Sequence, residues 1–444
     1  MKIVIVGAGY VGLITGICLA YEGNQVIFID NDIEKIEALG NGYLPIYEPD
    51  LDEMFHRVTK EGNIQFERSF NCLTADVQLC FITVGTPGEF SGEVNLEYIW
   101  DAAKKIGEHM ERKSHIVIKS TVPVGTCERT EEIINAQLKI RGLSLSVSVS
   151  SNPEFLREGN AIRDAIKPER IVIGVENEED EILLRTLYEP YVNRGSVIIV
   201  MDRRSAELTK YAANCFLATK ISFINMIASI CENTGADIKK VTEGIIGDSR
   251  IGRSYLNAGC GFGGSCLPKD VNGMISMGIT TGCSVDLLEA VKSINQRQKF
   301  LLCEKVVKIF GKSLKKKVIA IWGVTFKPNT DDMREATSLT VIRDLMERGA
   351  EIQIYDPVVT KERIEKLFKD GNIRVCDDQY DALYAADALI LMTEWSQFKT
   401  PDFDLIGTRM NQRVILDGRN QYEKKELAQK GFKYYYIGGE SDGL

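Results

Sequence analysis

Histidine is the scarcest chemistry-bearing residue in this chain: 444 residues contain only three, His56, His109 and His115. None of them stands in an HExxH or similar zinc-binding pattern, and the eleven cysteines include no CxxC pair. We therefore expect no bound metal. The same shortage argues against a histidine general base, so a catalytic site here would draw its acid and base groups from other side chains.

An excess of basic residues is also missing. The chain has 63 acidic residues against 54 lysines and arginines, a net charge of −9, which argues against general nucleic-acid binding. The cysteines are scattered and odd in number, a pattern typical of reduced thiols rather than of a disulfide framework. We therefore expect a cytoplasmic protein without a nucleic-acid partner.

Long apolar runs are nearly absent. Residues 3–21 carry no charge and follow Lys2, so they superficially resemble a signal peptide or a membrane span. Glycines interrupt this run at positions 7, 9, 12 and 16, the spacing of a dinucleotide-binding turn, and no comparable segment follows. We interpret the run as a strand and a helix of a nucleotide-binding fold and expect no membrane association.

The most distinctive motif that is present is Gly259-Cys-Gly-Phe-Gly-Gly-Ser-Cys-Leu-Pro-Lys-Asp270. It places Cys266 at the end of a glycine run and follows it with Lys269 and Asp270. Glycine lets the backbone approach a ligand closely and adopt positive φ. The neighbouring cation and backbone N–H groups favour the reactive thiolate. Combined with a nicotinamide site, such a cysteine predicts oxidation through a thiohemiacetal and a thioester to a carboxylic acid.

Strand and helix patterns alternate in two stretches of the chain. The alternation over residues 2–200 predicts a parallel sheet covered by helices on both faces, and a similar pattern restarts at Lys317. Between them, a helical pattern without proline or glycine runs from 205 to 233, with apolar residues around much of its circumference. We predict an α/β protein with two Rossmann-like doubly wound domains joined by a long central helix and a helical linker domain. The predicted domains are residues 1–200, 201–310 and 311–444, with a loose tail at 438–444.

The first domain carries a cofactor signature. Gly7-Ala-Gly-Tyr-Val-Gly12 follows a predicted strand and opens a helix, which suits a pyrophosphate held by helix N–H groups. Asp30 ends the second strand, where a carboxylate accepts ribose hydroxyls and repels a 2′-phosphate, so we predict NAD rather than NADP. Lys35 is within reach of the same ribose. Loops 84–87 and 120–125 follow later strands and either line this site or are ordinary turns.

Three further groups of residues could carry chemistry. Asn152-Pro-Glu-Phe-Leu-Arg-Glu-Gly159 follows a predicted strand and presents two carboxylates. Lys210 and Asn214 are four residues apart and so share one face of the long helix. Lys327 and Arg334 follow the first strand of the second alternating region. Taken singly, each group is compatible with an ordinary structural role.

In this order and combination the motifs resemble the UDP-glucose/GDP-mannose dehydrogenase family from end to end. Further matching segments are Val84-Gly-Thr-Pro87, Ser120-Thr-Val-Pro123, Glu207-Leu-Thr-Lys-Tyr-Ala-Ala-Asn214 and Asp417-Gly-Arg-Asn420. The family oxidises the C6 alcohol of a nucleotide sugar to a carboxylate in two hydride transfers to NAD. The resemblance favours UDP-glucose, because the whole chain, including Asp417-Gly-Arg-Asn-Gln-Tyr422, is most similar to the branch of the family that acts on it. Ser265 argues against UDP-N-acetylmannosamine, since enzymes acting on that sugar tend to carry histidine before the cysteine. GDP-mannose enzymes share the cysteine motif and remain the alternative.

The resemblance implies catalytic roles. Asp270 with a bound water, or Lys210, would remove the alcohol proton. Cys266 would form the covalent intermediates, and Lys210 and Asn214 would stabilise the oxyanions. Lysine can serve both as cation and as proton carrier when desolvation weakens its proton binding, which explains the missing histidine.

Thr121 and Glu154 would position the water that hydrolyses the thioester. The implied cofactor contacts are Gly7, Gly9, Tyr10, Val11, Gly12, Asp30, Lys35, Thr86, Thr121, Glu158, Ser265, Lys269 and Arg334. The implied substrate contacts are Glu154, Phe155, Leu156, Lys210, Asn214, Arg250, Tyr255, Asn257, Phe262, Gly263, Phe326, Lys327 and Arg419. Arg250 matches an arginine that the family supplies to the neighbouring subunit, so the resemblance implies a homodimer. Residues 201–310 would then mediate dimerisation, and residues 311–444 would bind the UDP-sugar.

Two other classes of function fit parts of the pattern. A β-hydroxyacid dehydrogenase also joins a dinucleotide fold to a long helix with Lys and Asn four residues apart. It needs neither a nucleophilic cysteine nor a second sheet domain, and it yields one NADH per substrate. A non-catalytic nucleotide-binding paralogue is the other alternative. A site that has lost its activity usually lacks at least one catalytic residue, whereas this sequence retains all six: Thr121, Glu154, Lys210, Asn214, Cys266 and Asp270.

Overall fold

The computed structural model describes residues 1–73, 76–89, 91–369 and 371–439. Residues 440–444 of the predicted tail lie outside the described residues. The chain separates into two compact units, Met1–Ala213 with Asn272–Thr281, and Asn214–Val271 with Gly282–Leu444. Two helices, Arg203–Thr234 and Leu267–Thr280, contribute residues to both units. The three predicted domain boundaries remain a prediction.

The first unit is built on an eight-stranded sheet. Its strands are β1 (Lys2–Val6), β2 (Gln25–Ile29), β3 (Ile64–Glu67), β4 (Leu79–Ile82), β5 (His115–Ile118), β6 (Val149–Ser151), β7 (Arg170–Gly174) and β8 (Val197–Met201). Their order is β3-β2-β1-β4-β5-β6-β7-β8. Neighbouring strands are parallel except β6 and β7, where Ser151 lies opposite Gly174 in antiparallel register. The prediction of a parallel sheet is therefore wrong at this one junction.

Helices cover both faces of this sheet. They are α1 (Tyr10–Tyr21), α2 (Ile33–Gly40), α3 (Leu51–Lys60), α4 (Glu97–His109), α5 (Thr126–Ile140), α6 (Ala161–Ile166), α7 (Glu178–Val192) and the start of α8 (Arg203–Thr234). Successive side chains of a strand point to opposite faces. Accordingly Ile3 and Ile5 belong to one buried cluster, while Val4 and Val6 belong to another. The apolar run of β1 thus serves two cores, as expected for a strand buried on both faces.

The second unit begins with helices and ends with a six-stranded sheet. Its helices before the sheet are the rest of α8, α9 (Ile238–Ile246), the start of α10 (Leu267–Thr280), α11 (Asp286–Gln298) and α12 (Leu301–Phe310). The sheet region contains β9 (Val318–Trp322), α13 (Thr337–Glu347), β10 (Glu351–Tyr355), α14 (Lys361–Leu367), β11 (Ile373–Val375), β12 (Ala388–Leu391), α15 (Phe403–Arg409), β13 (Val414–Asp417), α16 (Lys424–Gln429) and β14 (Lys433–Tyr436). The strand order is β11-β10-β9-β12-β13-β14, with every neighbouring pair parallel. Helices α11 and α12 are separated by Lys299 and Phe300, which belong to neither helix.

The long helix predicted at 205–233 is observed as α8, Arg203–Thr234. Within the part of the chain that the structure describes, it is the one helix whose length and composition would let it cross a membrane, and 44% of its apolar window is buried. Core helices of soluble proteins meet the same criterion. Phe216, Phe223 and Ile230 lie seven residues apart on it and are 66%, 47% and 51% exposed. This exposed apolar stripe is an unusual feature for a surface helix.

A buried polar network joins β5, β6 and α7 in the first unit. His115 Nδ1 lies 2.9 Å from Asp180 Oδ1, and His115 Nε2 lies 2.9 Å from Ser150 Oγ. Ser148 Oγ donates to Asp180 Oδ2 at 2.5 Å. The distances match a Ser-His-Asp hydrolytic triad. However, Ser150 is fully buried at the sheet, so no substrate can reach it, and the network is structural.

Replacing Asp180 by asparagine should lower the free energy of unfolding by about 2–3 kcal/mol at neutral pH, because a buried hydrogen-bonded carboxylate is lost. Burial raises the pKa of Asp180, but hydrogen bonds from His115 and Ser148 outweigh it and hold the pKa below its ordinary value. The stabilisation is therefore present above the unfolded-state pKa of about 4 and is lost as the pH falls through the folded value. Denaturation at neutral and acidic pH measures the difference.

The neighbouring pair Lys113–Glu179 provides a matched control. Its atoms approach to 2.7 Å, but both side chains are exposed. Glu179→Gln should change stability by less than about 0.5 kcal/mol. Equal losses of unfolding free energy for Asp180→Asn and Glu179→Gln would contradict the structural role of the buried network. So would a stability difference between Asp180→Asn and the unaltered protein that grows in acid.

Candidate functional site

The turn after β1 has the shape that a dinucleotide requires. Gly7 has a φ of +105°, and a Cβ on Gly12 would lie 1.9 Å from the carbonyl oxygen of Gly7. No larger residue fits at either position. Asp30 ends the second strand and accepts the N–H of Ala8 at 2.8 Å and the ammonium of Lys35 at 3.0 Å. The residues present therefore fit NAD: the N–H groups that open α1 would hold its pyrophosphate, and Asp30 would accept its ribose hydroxyls.

Glu48, which the sequence did not single out, anchors this turn. Its buried carboxylate accepts the hydroxyl of Tyr10 at 2.5 Å and the N–H groups of Gly159 and Ala161 at 2.6 Å each. One side chain thereby fixes the fingerprint tyrosine and the loop that carries Glu158. The local sequence around Glu48 has no motif or periodicity that would have identified it.

The two loops predicted to line the cofactor site are joined by hydrogen bonds. Thr86 Oγ1 donates to the carbonyl oxygen of Thr121 at 2.9 Å, and Ser120 Oγ donates to the carbonyl oxygen of Val84 at 2.7 Å. Both loops follow strands of the sheet at their carboxyl ends, the edge at which ligands of such sheets bind. Thr86 and Thr121 therefore lie together at this edge, and their contact with the cofactor remains a prediction.

A buried ion pair follows β6. Lys210 Nζ lies 2.9 Å from Glu154 Oε1, and both side chains are buried. The ammonium of Lys210 also lies 5.3 Å from the ring centre of Phe155, and the guanidinium of Arg170 lies 4.1 Å from the same ring. Such contacts hold a lysine in one orientation. The N–H of Leu156 donates to the other oxygen of Glu154 at 2.5 Å, so the loop that supplies the carboxylate is fixed as well.

In the second unit, the glycine run before Cys266 packs against the segment 326–335. Gly261 and Gly264 have positive φ, whereas Gly263 does not. A Cβ on Gly263 would lie 2.2 Å from the carbonyl oxygen of Glu335, and one on Gly264 would lie 2.8 Å from the ring of Phe326. The glycines therefore allow the loop to approach the segment 326–335, and they place Phe262 and Gly263 in the interior.

Cys266 is exposed at the start of α10, where its carbonyl oxygen accepts the N–H of Asp270 at 2.9 Å. Its sulfur lies 3.6 Å from Ser265 Oγ. A thiolate at a helix N-terminus is stabilised by the helix dipole and by backbone N–H groups. Burial raises the pKa of nine other thiols: Cys18, Cys72, Cys80, Cys127, Cys215, Cys231, Cys260, Cys303 and Cys376.

The buried carboxylate of Asp270 brings two further predicted residues together. Asn214 Nδ2 donates to Asp270 Oδ2 at 2.6 Å, and Lys269 Nζ lies 2.7 Å from Asp270 Oδ1. The second unit therefore holds Cys266, Asp270, Asn214 and Lys269, while the first unit holds Thr121, Glu154 and Lys210. An amide, an ammonium and a carboxylate fixed by mutual contacts can exchange a proton and stabilise an oxyanion.

Two residues of the second unit that are predicted to bind the sugar nucleotide, Arg419 and Lys327, lie near a third, Phe326. Arg419 Nη2 donates to the carbonyl oxygen of Phe326 at 3.1 Å, and Lys327 Nζ lies 5.2 Å from the Phe326 ring centre. Arg334 is exposed and pairs with Asp332 at 2.7 Å. Tyr255 has a φ of +64°, a conformation that often marks binding segments, and the nearby Asn257 is exposed.

Among the described residues, no cluster of three or more histidine, cysteine, aspartate or glutamate side chains could hold a metal ion. The groups that the candidate site does contain are lysines, carboxylates, amides and a thiol. These groups suit covalent catalysis at a carbonyl carbon beside a nicotinamide.

Comparison with known proteins supports this interpretation. Sequence models of the UDP-glucose/GDP-mannose dehydrogenase family match three segments: its NAD binding domain at residues 1–192, its central domain at 204–297 and its UDP binding domain at 320–424. The UDP-glucose 6-dehydrogenases of Pseudomonas aeruginosa and Rickettsia bellii are each 41% identical to the chain. The matches span 441 and 440 residues, 99% of this chain in both cases and 97% and 100% of the relatives.

A solved UDP-glucose dehydrogenase from the hyperthermophilic archaeon Pyrobaculum islandicum superposes with a TM-score of 0.89 at 34% identity, covering 99% of this chain and 98% of that one. The predicted architecture and the NAD cofactor are thereby confirmed, as is the assignment to the nucleotide-sugar dehydrogenases. On the evidence of its nucleotide turn, its cysteine loop and these matches, the chain belongs to the UDP-glucose/GDP-mannose dehydrogenase family.

Proposed function

We propose that this protein is a UDP-glucose 6-dehydrogenase that oxidises UDP-glucose to UDP-glucuronate. The observation that carries the proposal is the exposed Cys266 at the start of α10, one helical turn before the buried Asp270. A cysteine so placed can bind the aldehyde covalently and let oxidation proceed to the acid. The net reaction removes four electrons from C6 and adds one oxygen from water. NAD, when bound, accepts one hydride in each of the two oxidations.

The chain's own residues divide the remaining steps. Asp270 with a bound water, or Lys210, takes the proton of the C6 hydroxyl as the alcohol is oxidised. The Cys266 sulfur then attacks the aldehyde carbon, and the oxygen of the resulting thiohemiacetal is stabilised by Lys210 and Asn214. Loss of a proton from that oxygen accompanies the second oxidation and leaves a thioester on Cys266.

Hydrolysis completes the reaction. Thr121 and Glu154 hold a water for attack on the thioester carbon, and Glu154 accepts the proton of that water. The carbon–sulfur bond then breaks, which releases the acid and returns Cys266 as a thiolate. The buried ion pair of Glu154 and Lys210 supports this role, because it holds the carboxylate in one position away from bulk water.

The choice of sugar nucleotide rests on Ser265 and on the whole-chain relatives. Serine before the cysteine argues against a UDP-N-acetylmannosamine substrate, while GDP-mannose remains the alternative. NADH formation, followed by absorbance with UDP-glucose, GDP-mannose and UDP-N-acetylglucosamine in parallel, tests the choice. We expect turnover with UDP-glucose alone and a preference for NAD over NADP; turnover with another nucleotide alone would overturn the assigned sugar.

The protein is proposed to act as a homodimer in the cytoplasm. The exposed stripe of Phe216, Phe223 and Ile230 on α8 supports a second copy as its cover, because exposed apolar patches on helices are typical of subunit interfaces. All eleven cysteines are free thiols, which suits a reducing compartment. Residues 1–200, 201–310 and 311–444 are proposed as the NAD-binding, dimerisation and UDP-sugar-binding domains.

Arg250 is proposed to reach the active site of the neighbouring subunit. Its side chain is 87% exposed and is held by Asp248 of the same loop, with Nη2 and Oδ2 2.5 Å apart. Arg250→Ala should lower kcat/KM for UDP-glucose by about ten- to a hundred-fold, the loss of one charged contact. Mixing this variant with Cys266→Ala should restore part of the activity, because mixed dimers contain one complete site.

Arg253→Ala, which alters an exposed arginine three residues away, is the matched control and should retain full activity. An absence of complementation between Arg250→Ala and Cys266→Ala, in protein shown to exchange subunits, would mean that Arg250 does not act across an interface.

A further inference from the structure

Lys119 contacts Asn152 in the loop that carries Glu154, and none of the catalytic steps above uses it. It follows β5, and its ammonium donates to Asn152 Oδ1 at 3.0 Å and to the Asn152 carbonyl oxygen at 3.4 Å. Asn152 is itself fixed, because its Oδ1 accepts the Tyr188 hydroxyl at 2.5 Å and its Nδ2 donates to the Val172 carbonyl oxygen at 2.8 Å. The ammonium of Lys119 is therefore held against Asn152, which lies two residues before Glu154 in the chain.

The charged groups that act on Lys119 are those of the ion pair. Burial is the largest effect and lowers its pKa, Glu154 opposes this, and Lys210 lowers it further, to about 8. The other polar groups packed here are the Tyr188 hydroxyl from α7 and the Arg170 guanidinium of β7, which covers the far side of Phe155. The Glu154 carboxylate thus interacts electrostatically with Lys119 and forms the ion pair with Lys210.

An ion pair by itself strengthens proton binding by its lysine, since the carboxylate stabilises the ammonium. A second cation beside the pair acts in the opposite direction. It competes for the carboxylate and repels the first ammonium, so both members of the pair release their protons more readily. Some lysines must give up and take back a proton during each catalytic cycle. For such a lysine, the balance between the carboxylate, which strengthens proton binding, and the second cation, which weakens it, decides the pH range in which it can act.

We propose that Lys119 is a positioning residue whose charge sets the pH range over which the Glu154–Lys210 pair exchanges protons during turnover. The inference rests on the proposed function, because it needs Glu154 and Lys210 in the roles given above. Lys119 touches neither substrate nor cofactor in this account and acts only through the pair.

The test is the pH dependence of kcat/KM for UDP-glucose, followed as NADH formation between about pH 6 and pH 10, for Lys119→Met and Lys119→Arg. Methionine keeps the length of the side chain and removes the charge. For Lys119→Met we expect the acidic limb of the pH profile to move upward by about one pH unit. kcat/KM should be reduced about ten-fold at neutral pH and should recover at alkaline pH. Arginine keeps the charge at every pH and should leave the acidic limb where the unaltered enzyme has it.

Three results would overturn the proposal: an unmoved acidic limb in Lys119→Met, an equal loss at every pH, or the same upward shift in Lys119→Arg. If Lys119→Met does not fold, Lys119→Gln replaces it, since glutamine is neutral and can still donate to Asn152. Failure of the unaltered enzyme to form NADH from UDP-glucose would reject the proposed function itself. An active enzyme with unmoved limbs would reject only the role of Lys119.

Discussion

Replacing Cys266 by alanine should abolish acid formation, reducing it by at least about 10³-fold, because the covalent intermediates can no longer form. Binding of NAD and of the sugar nucleotide should be nearly unchanged, since a small exposed side chain is removed from the start of a helix. Product analysis for UDP-glucuronate measures the first effect, and equilibrium binding of each ligand measures the second.

No other thiol is placed to substitute for Cys266. Burial raises the pKa of nine of the cysteines, which suppresses their thiolates, and Cys283 is the other exposed one. Cys283→Ala is therefore the matched control and should retain full activity. Iodoacetamide should inactivate both the unaltered enzyme and Cys283→Ala. Normal acid production by Cys266→Ala would rule out the thioester route.

Replacing Lys210 by methionine should lower kcat by about 10²–10³-fold, the usual cost of removing one donor from a developing oxyanion. It should also lower the free energy of unfolding by about 3 kcal/mol, because Glu154 would remain buried without the cation that lies 2.9 Å away. Steady-state kinetics and chemical denaturation measure the two effects separately.

A double variant separates catalysis from stability. Adding Glu154→Gln to Lys210→Met removes the buried carboxylate that has lost its ion-pair partner, so most of the lost stability should return. Activity should not return, because the oxyanion donor and the carboxylate are both missing. Recovery of activity together with stability would show that Lys210 acts only by keeping the protein folded.

Much of the fold could be predicted because its signals are local. β1 follows an apolar run that ends at the Gly7 turn, and α8 follows an uninterrupted helical pattern; both are observed close to the predicted bounds. The antiparallel junction between β6 and β7 could not be predicted, since the apolar pattern of a strand does not encode its direction. Helix α10 was also missed, because Pro268, Gly273 and Gly278 obscure its periodicity, although proline is tolerated in a first turn.

The candidate site shows the same division between local and distant signals. The spacing of Lys210 and Asn214 predicted a shared helix face, but not that Lys210 would pair with Glu154 and Asn214 with Asp270. Those partners lie 56 residues away along the chain, and single-sequence patterns carry no information about such contacts. Lys119 was missed for a similar reason: a lysine that follows an apolar strand resembles a solvated strand end until the fold brings it against Asn152, in the loop that carries Glu154.

The most direct test of the central claim is the amount of NADH formed per UDP-glucose consumed, measured by absorbance at completion with NAD in excess and UDP-glucose limiting. Two equivalents, with UDP-glucuronate as the product, are the result predicted for four-electron oxidation through Cys266. One equivalent would mean that oxidation stops at the carbonyl, as in a simple alcohol dehydrogenase, and would contradict the covalent role of Cys266.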